Sequence, residues 1–160
     1  MAGHWEGDLI IGKNVASCAA TLVERVSGLA GLLALASKHA EPTAEAVIEY
    51  FNELPKMMRA SLAWDRGSEM AQHARITLAT QMPVYFADPH SPWQRPSNEN
   101  TNRLIRAYLP KGTTIPDHQP YLTSIAEEIN NRPRRRLGYL TPTEAFTRLL
   151  NDQPPVAPTP

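Results

Sequence analysis

Cysteine is nearly missing from this 160-residue sequence; Cys18 stands alone, so no internal disulfide can form. The five histidines, His4, His39, His73, His90 and His118, show no zinc-type pairing with it, which argues against a zinc site. Long apolar runs are missing too. The longest, Leu29 to Ala36, falls far short of the roughly 20 residues a membrane-crossing helix needs. The start, Met-Ala-Gly-His-Trp-Glu-Gly-Asp, lacks the basic and apolar regions of a secretion signal. These absences predict a soluble cytoplasmic protein with no membrane partner. A charge excess of one sign is also lacking, because 16 Lys plus Arg offset 16 Asp plus Glu. No overall cationic field steers a polyanion to the surface, so any case for nucleic acid rests on local features.

The flat total hides a polarity. Residues 1–92 carry 7 basic and 10 acidic side chains, and residues 93–160 carry 9 basic and 6 acidic, so net charges of −3 and +3 suggest separate jobs for the two halves. With 42% hydrophobic residues the chain has material for one core. Three strands are expected first: Asp8-Leu-Ile-Ile-Gly12, Ser17 to Val26, and, after a Ser27-Gly28 turn, Leu29 to Ala36. A helix from Pro42 follows, with Ala44, Val47, Ile48, Phe51 and Leu54 on one face and Pro55 as its stop. Ser61 to Trp64 reads as a strand, 69–79 as helical, and Pro83 to Ala87 as another strand. The proline-rich stretch from Asp88 to Ser97 reads as a stiff loop. Three helices close the chain: one capped by Asn98 and running to Leu109, one over Tyr121 to Asn131, and one over Pro142 to Asn151 capped by Thr141. The order predicts an α/β domain over 1–150, with a mixed sheet between helices, and a disordered proline-rich tail over 151–160.

Three acids occupy telling places. Asp8 lies on or near the first strand. Asp65 follows the fourth strand, where α/β sheets commonly expose ligand sites. Glu99 opens a helix, whose dipole favours an ionised carboxylate. Such a set suits two Mg²⁺ ions, which take hard oxygen ligands and, at roughly 3.5–4 Å apart, serve in-line displacement at phosphorus. Glu6, Glu24, Glu69 and Asp88 are rival ligands, with Glu24 expected near the middle of the second strand. From spacing alone, a solvated surface explains these acids as well.

Seven segments in unbroken order over Gly3 to Phe146 decide between the readings: Gly3-His-Trp-Glu-Gly-Asp-Leu-Ile-Ile-Gly12, Thr21-Leu-Val-Glu-Arg25, Trp64-Asp-Arg-Gly67, Asp88-Pro-His-Ser-Pro-Trp-Gln-Arg95, Ser97-Asn-Glu-Asn-Thr-Asn102, Asn131-Arg-Pro-Arg134, and Leu137-Gly138 with Thr141-Pro142. The sequence resembles the catalytic domain of IS-thirty family bacterial transposases. That resemblance implies a retroviral-integrase-like, RNase H-like fold with a five-stranded mixed sheet, and a DDE triad of Asp8, Asp65 and Glu99, the last two separated by 33 residues. It further implies two Mg²⁺ ions on that triad, with Mn²⁺ as a substitute, and cleavage at a transposon end followed by attack of the freed 3′-hydroxyl on target DNA. DNA, as transposon ends and target, is the implied partner, with self-association in a transposition complex and a nucleoid-associated location. Pro96 departs from the glycine of the family's Gln-Arg-Gly-Ser-Asn-Glu stretch, and a positive φ there would be closed to proline. The family's helix-turn-helix region normally precedes this domain, whereas the motif here begins at His4, so an isolated catalytic domain with weak recognition of transposon ends is expected.

Around the triad, Asn102, Arg103 and Arg106 fall on the helical face of Glu99, within reach of DNA phosphates. Trp93 is a candidate for stacking on a base, Arg95 is a further candidate DNA contact, and His90 is read as structural. Arg132, Arg134, Arg135 and Arg136 form the densest basic run and are expected to meet the phosphate backbone. Two other readings stand beside strand transfer: a silent remnant that binds DNA or a partner transposase, and a two-metal nuclease that cuts without joining.

Overall fold

The computed structural model describes residues 1–64, 70–86 and 96–152, with Pro96 described in its backbone only. The elements run β1 (His4–Ile11), β2 (Cys18–Glu24), β3 (Ala30–Ala34), α1 (Ala40–Asn52), β4 (Ser61–Trp64), α2 (His73–Thr80), β5 (Val84–Phe86), α3 (Pro96–Ile105), α4 (Gln119–Asn130) and α5 (Pro142–Asn151). The strands form one mixed sheet in the order β3-β2-β1-β4-β5. β1 is antiparallel to β2 and β2 to β3, while β1 to β4 and β4 to β5 are parallel.

Alternation along β1 splits the core in two. Trp5 enters a cluster with Leu22, Phe51, Leu62, Trp64 and Phe146, on the side of α1 and α5. Ile10 points the other way, to Ile105, Leu122, Ile125 and Ile129 of α3 and α4. Glu6 and Asp8 share the parity of Ile10 and so face the second side. The α1 face is the one its periodicity indicates, with Ala44, Val47 and Phe51 buried.

Several boundaries differ from the expectation, each for a physical reason. β1 begins at His4 rather than Asp8, because Trp5 is fully buried and pairs with Glu24 across the ladder. Glu24 therefore ends β2 instead of sitting near its middle. β2 and β3 are each shorter than the apolar runs that mark them. α2 starts at His73, and α4 starts at Gln119, where His118 Nδ1 accepts the Tyr121 N–H and Pro120 fills the first turn. Asn98 is not a cap; α3 begins at Pro96, and Asn98 is a buried residue within it. Proline suits a first helical position, since its φ is preset and its missing N–H would have no intrahelical partner. α5 matches its expected span, with Thr141 and Glu144 forming a reciprocal capping box.

Candidate active site

Asp8 is half-buried in the middle of β1, and its carboxylate is held from two sides. Oδ1 accepts the Leu9 N–H at 2.8 Å, and Oδ2 accepts Asn102 Nδ2 of α3 at 3.2 Å. A buried polar chain backs this contact. Asn102 Nδ2 also donates to Asn98 Oδ1 at 3.2 Å, Asn98 Nδ2 donates to Glu6 O at 3.4 Å and Thr21 Oγ1 at 3.3 Å, and Thr21 Oγ1 donates to Asp8 O at 3.4 Å. Buried amides are costly unless paired, so these bonds fix α3 against β1 in one register. The Nδ2 contacts also set the Asn102 amide, whose Oδ1 is buried without a hydrogen-bond partner among the described residues.

Glu99 is exposed on α3, one turn before Asn102. It lines a groove of about 430 Å³ with Leu9, Ile10, Asn102, Arg103, Arg106 and Lys111. Asp65 lies outside the described residues. Its chain neighbour Trp64 ends β4, paired in parallel register with Gly7, the residue before Asp8. Gly7 is glycine for a steric reason: a Cβ there would come within 2.1 Å of the Trp64 ring. Sequence thus ties Gly7-Asp8 to Trp64-Asp65 through one packing contact.

Among the described residues, no three His, Cys, Asp or Glu side chains cluster as a metal site. The oxygen donors of this seam nevertheless suit a hard divalent cation: Asp8 is bonded to Asn102, Asn102 and Glu99 line one groove, and Asn102 Oδ1 is buried without a hydrogen-bond partner among the described residues. Glu6 and Glu24 are not rivals. Both are fully buried; Glu6 Oε2 lies 3.6 Å from Arg25 Nε, and the Glu24 carboxylate accepts the N–H groups of Val26 and Ser27. Burial raises the Glu24 pKa above its ordinary value, only partly countered by those N–H bonds and the Arg136 charge. Glu69, Asp88, His90, Trp93 and Arg95 lie outside the described residues.

The arginines divide more finely than their spacing suggests. Arg103 Nη2 donates to Asn100 Oδ1 at 2.6 Å on the exposed face of α3. Arg106 spends its guanidinium on backbone, donating to Ile11 O at 3.1 Å and Leu109 O at 3.3 Å. Arg132 stacks over Tyr108 and donates to its hydroxyl. Arg134 donates to Ile129 O and Arg136 to Val26 O, each at 3.1 Å, while Arg135 is exposed. The run from Arg132 to Arg136 is therefore not one stripe. Asn98, expected as a cap, and Thr21 instead brace this seam; both lie in the motif segments, Asn98 beside Glu99 and Thr21 paired with Asp8.

The five-stranded mixed sheet, with α3 braced on its first strand, has an RNase H-like fold. The structure is similar, with a TM-score of 0.72 and 18% identity, to the crystal structure of the catalytic core domain of BIV integrase, over 94% of this chain and 97% of that one. No family model matches the chain. Whole sequences are more specific. The chain is 48% identical over 148 residues to transposase InsI for insertion sequence element IS30C of Escherichia coli K12, covering 91% of this chain and 38% of that protein. It is 42% identical over 151 residues to the transposase for insertion sequence element IS1086 of Cupriavidus metallidurans, covering 94% and 44%. With the transposase for insertion sequence element IS4351 of Bacteroides fragilis it shares 37% identity over 150 residues, covering 93% and 46%. Over this matched stretch the chain is strongly homologous to IS30-family transposases. It spans less than half the length of these relatives.

Proposed function

We propose that this chain carries the DNA-cutting and strand-joining centre of an insertion-sequence transposase, with Asp8, Asp65 and Glu99 as its acids. One observation carries the reading: the Asn102 bond to Asp8 holds the strand-borne aspartate against α3, one helical turn from Glu99. The parallel pairing of Gly7 with Trp64 supports Asp65 as the third acid, since each partner immediately precedes an aspartate.

Asp8, Asp65 and Glu99 would hold Mg²⁺ or Mn²⁺, with Asn102 Oδ1 as a further oxygen nearby. Bound there, two such ions supply an activated attacking oxygen and charge stabilisation for the leaving one. The protein's own part is positioning. Asn98 and Thr21 fix the seam, Asn102 orients Asp8, and the Arg106 clamp on Ile11 O holds the end of β1 against α3. Arg103 and Lys111 border the groove and offset phosphate charge. Transposon ends and target DNA are the substrates, and self-association pairs two ends.

Pro96 gives no support to a silent remnant, because it opens α3 in helical geometry. The test incubates the chain with a pre-cut transposon-end duplex and supercoiled plasmid, with and without Mg²⁺ or Mn²⁺, beside Asp65→Asn. Metal-dependent joining that the substitution abolishes supports the proposal. Cutting without joining favours a nuclease, and products indifferent to metal and to Asp65→Asn contradict both.

A further inference from the structure

A second cavity, of about 290 Å³, lies on the opposite flank of α3, between that helix and the β2–β3 turn. Ser97, Asn100 and Thr101 line it from α3, at helical positions turned away from Glu99, Asn102 and Arg103. Arg25, Arg134 and Arg136 line it from the other side. Among the described residues no Asp or Glu does so.

The arginines are anchored before any ligand arrives. Arg136 Nη1 is bound to Val26 O, and Gly28, at φ +74°, makes room for the guanidinium: a Cβ there would sit 2.8 Å from Arg136 Nη2. Arg134 uses Nη2 on Ile129 O, while its buried Nε has no hydrogen-bond partner among the described residues. Burial, then the charges of Arg136 and Arg132, lowers the Arg134 pKa, the mark of crowded cations. Two carboxylates lie behind the rim, Glu6 against Arg25 and Glu24 on its backbone N–H groups, and both are fully buried. Three guanidinium groups exceed these two acids, and Arg103 occupies Asn100 Oδ1, leaving the amide's N–H groups as its donors.

We propose that this cavity is a subsite for a backbone phosphate of nucleic acid, in which Arg25, Arg134 and Arg136 offset the phosphodiester charge and Ser97, Asn100 and Thr101 add donors. The inference rests on the DNA-processing reading and names how the strand is held beside the groove that Glu99 lines. A helix about 10 Å wide separates the two flanks, so the subsite takes a different phosphate from the one in the groove.

The test measures metal-free binding of a fluorescent duplex of unrelated sequence across a salt series. It compares the unaltered chain with Arg136→Gln, Asn100→Asp and Arg135→Gln, the last an equal charge change outside the cavity, with melting temperatures checked for each. Expected are severalfold weaker binding in Arg136→Gln and Asn100→Asp, a salt slope reduced by about one in Arg136→Gln, and a smaller effect in Arg135→Gln. Asn100→Asp keeps the side-chain volume on an exposed helical face, so it reports binding should Arg136→Gln loosen the fold. Equal effects of Arg135→Gln and Arg136→Gln, unchanged binding in Asn100→Asp, or no DNA binding by the unaltered chain would overturn the subsite. A parallel titration with inorganic phosphate separates sources: an Arg136→Gln effect on phosphate but not on DNA also overturns it. Because no metal is present, failed strand joining leaves this result intact, and a failed subsite leaves the triad test intact.

Discussion

The two flanks of α3 are built from the same ten-residue helix and differ in chemistry. Toward β1 it presents Glu99 and the amide that holds Asp8, beside a buried network of Asn98 and Thr21. Toward the β2–β3 turn it presents Ser97, Asn100 and Thr101 to three arginines. The first flank sets the Asp8 and Glu99 carboxylates beside Arg103, Arg106 and Lys111, whereas the charged residues lining the second are all arginines among the described residues. Zero formal charge thus hides an uneven local distribution around one helix, with acids and bases mixed on one flank and bases lining the other.

The comparison breaks most severely at Asp8. Asp8→Asn is expected to lower metal-dependent joining by about a thousandfold, the scale of several kcal/mol of lost charge stabilisation, while metal-free DNA binding stays at least as tight. Asn102→Ala removes an orienting contact rather than a triad acid, so joining and metal affinity fall by roughly 10–100-fold, read from rates across a Mn²⁺ series. Asn98→Ala strands its buried partners and costs about 1–3 kcal/mol of stability by denaturant unfolding. A smaller change sharpens the contrast from the other flank. Glu24 has a raised pKa in the fold, so the stability it contributes is fully present below its unfolded value of 4.5 and is lost as pH rises through the higher folded value. Glu24→Gln should therefore compare more favourably with the unaltered chain at pH 7 than at pH 4 in melting temperature.

Much of this was legible in the sequence because it rests on local chemistry. The α1 stripe, the cap at Thr141 and the short strand ending at Trp64 stand where expected, and Glu144 completes the cap as a reciprocal box. Asp8 and Glu99 were legible as candidates through motif and element position. What stayed hidden depends on tertiary partners. Asn98 has the chemistry of a cap, but sheet groups 77 and 92 residues away claim its amide. The basic run looked like one surface patch until Tyr108, Ile129 and Val26 divided its guanidinium groups. Nor did spacing reveal that Glu6 and Glu24 are fully buried, one beside Arg25 and the other on the N–H groups of the following turn.

Manganese binding read by NMR tests the central claim most directly, since it needs neither a transposon end nor turnover. Titrating Mn²⁺ into the isotope-labelled chain should broaden the amide signals of Asp8, Leu9, Glu99 and Asn102 in a saturable manner, and Asp8→Asn should abolish that pattern while leaving the fold's other signals in place. Broadening that never saturates, or that centres elsewhere and survives Asp8→Asn, would contradict the assignment of the Glu99 flank of α3 as the metal-binding side.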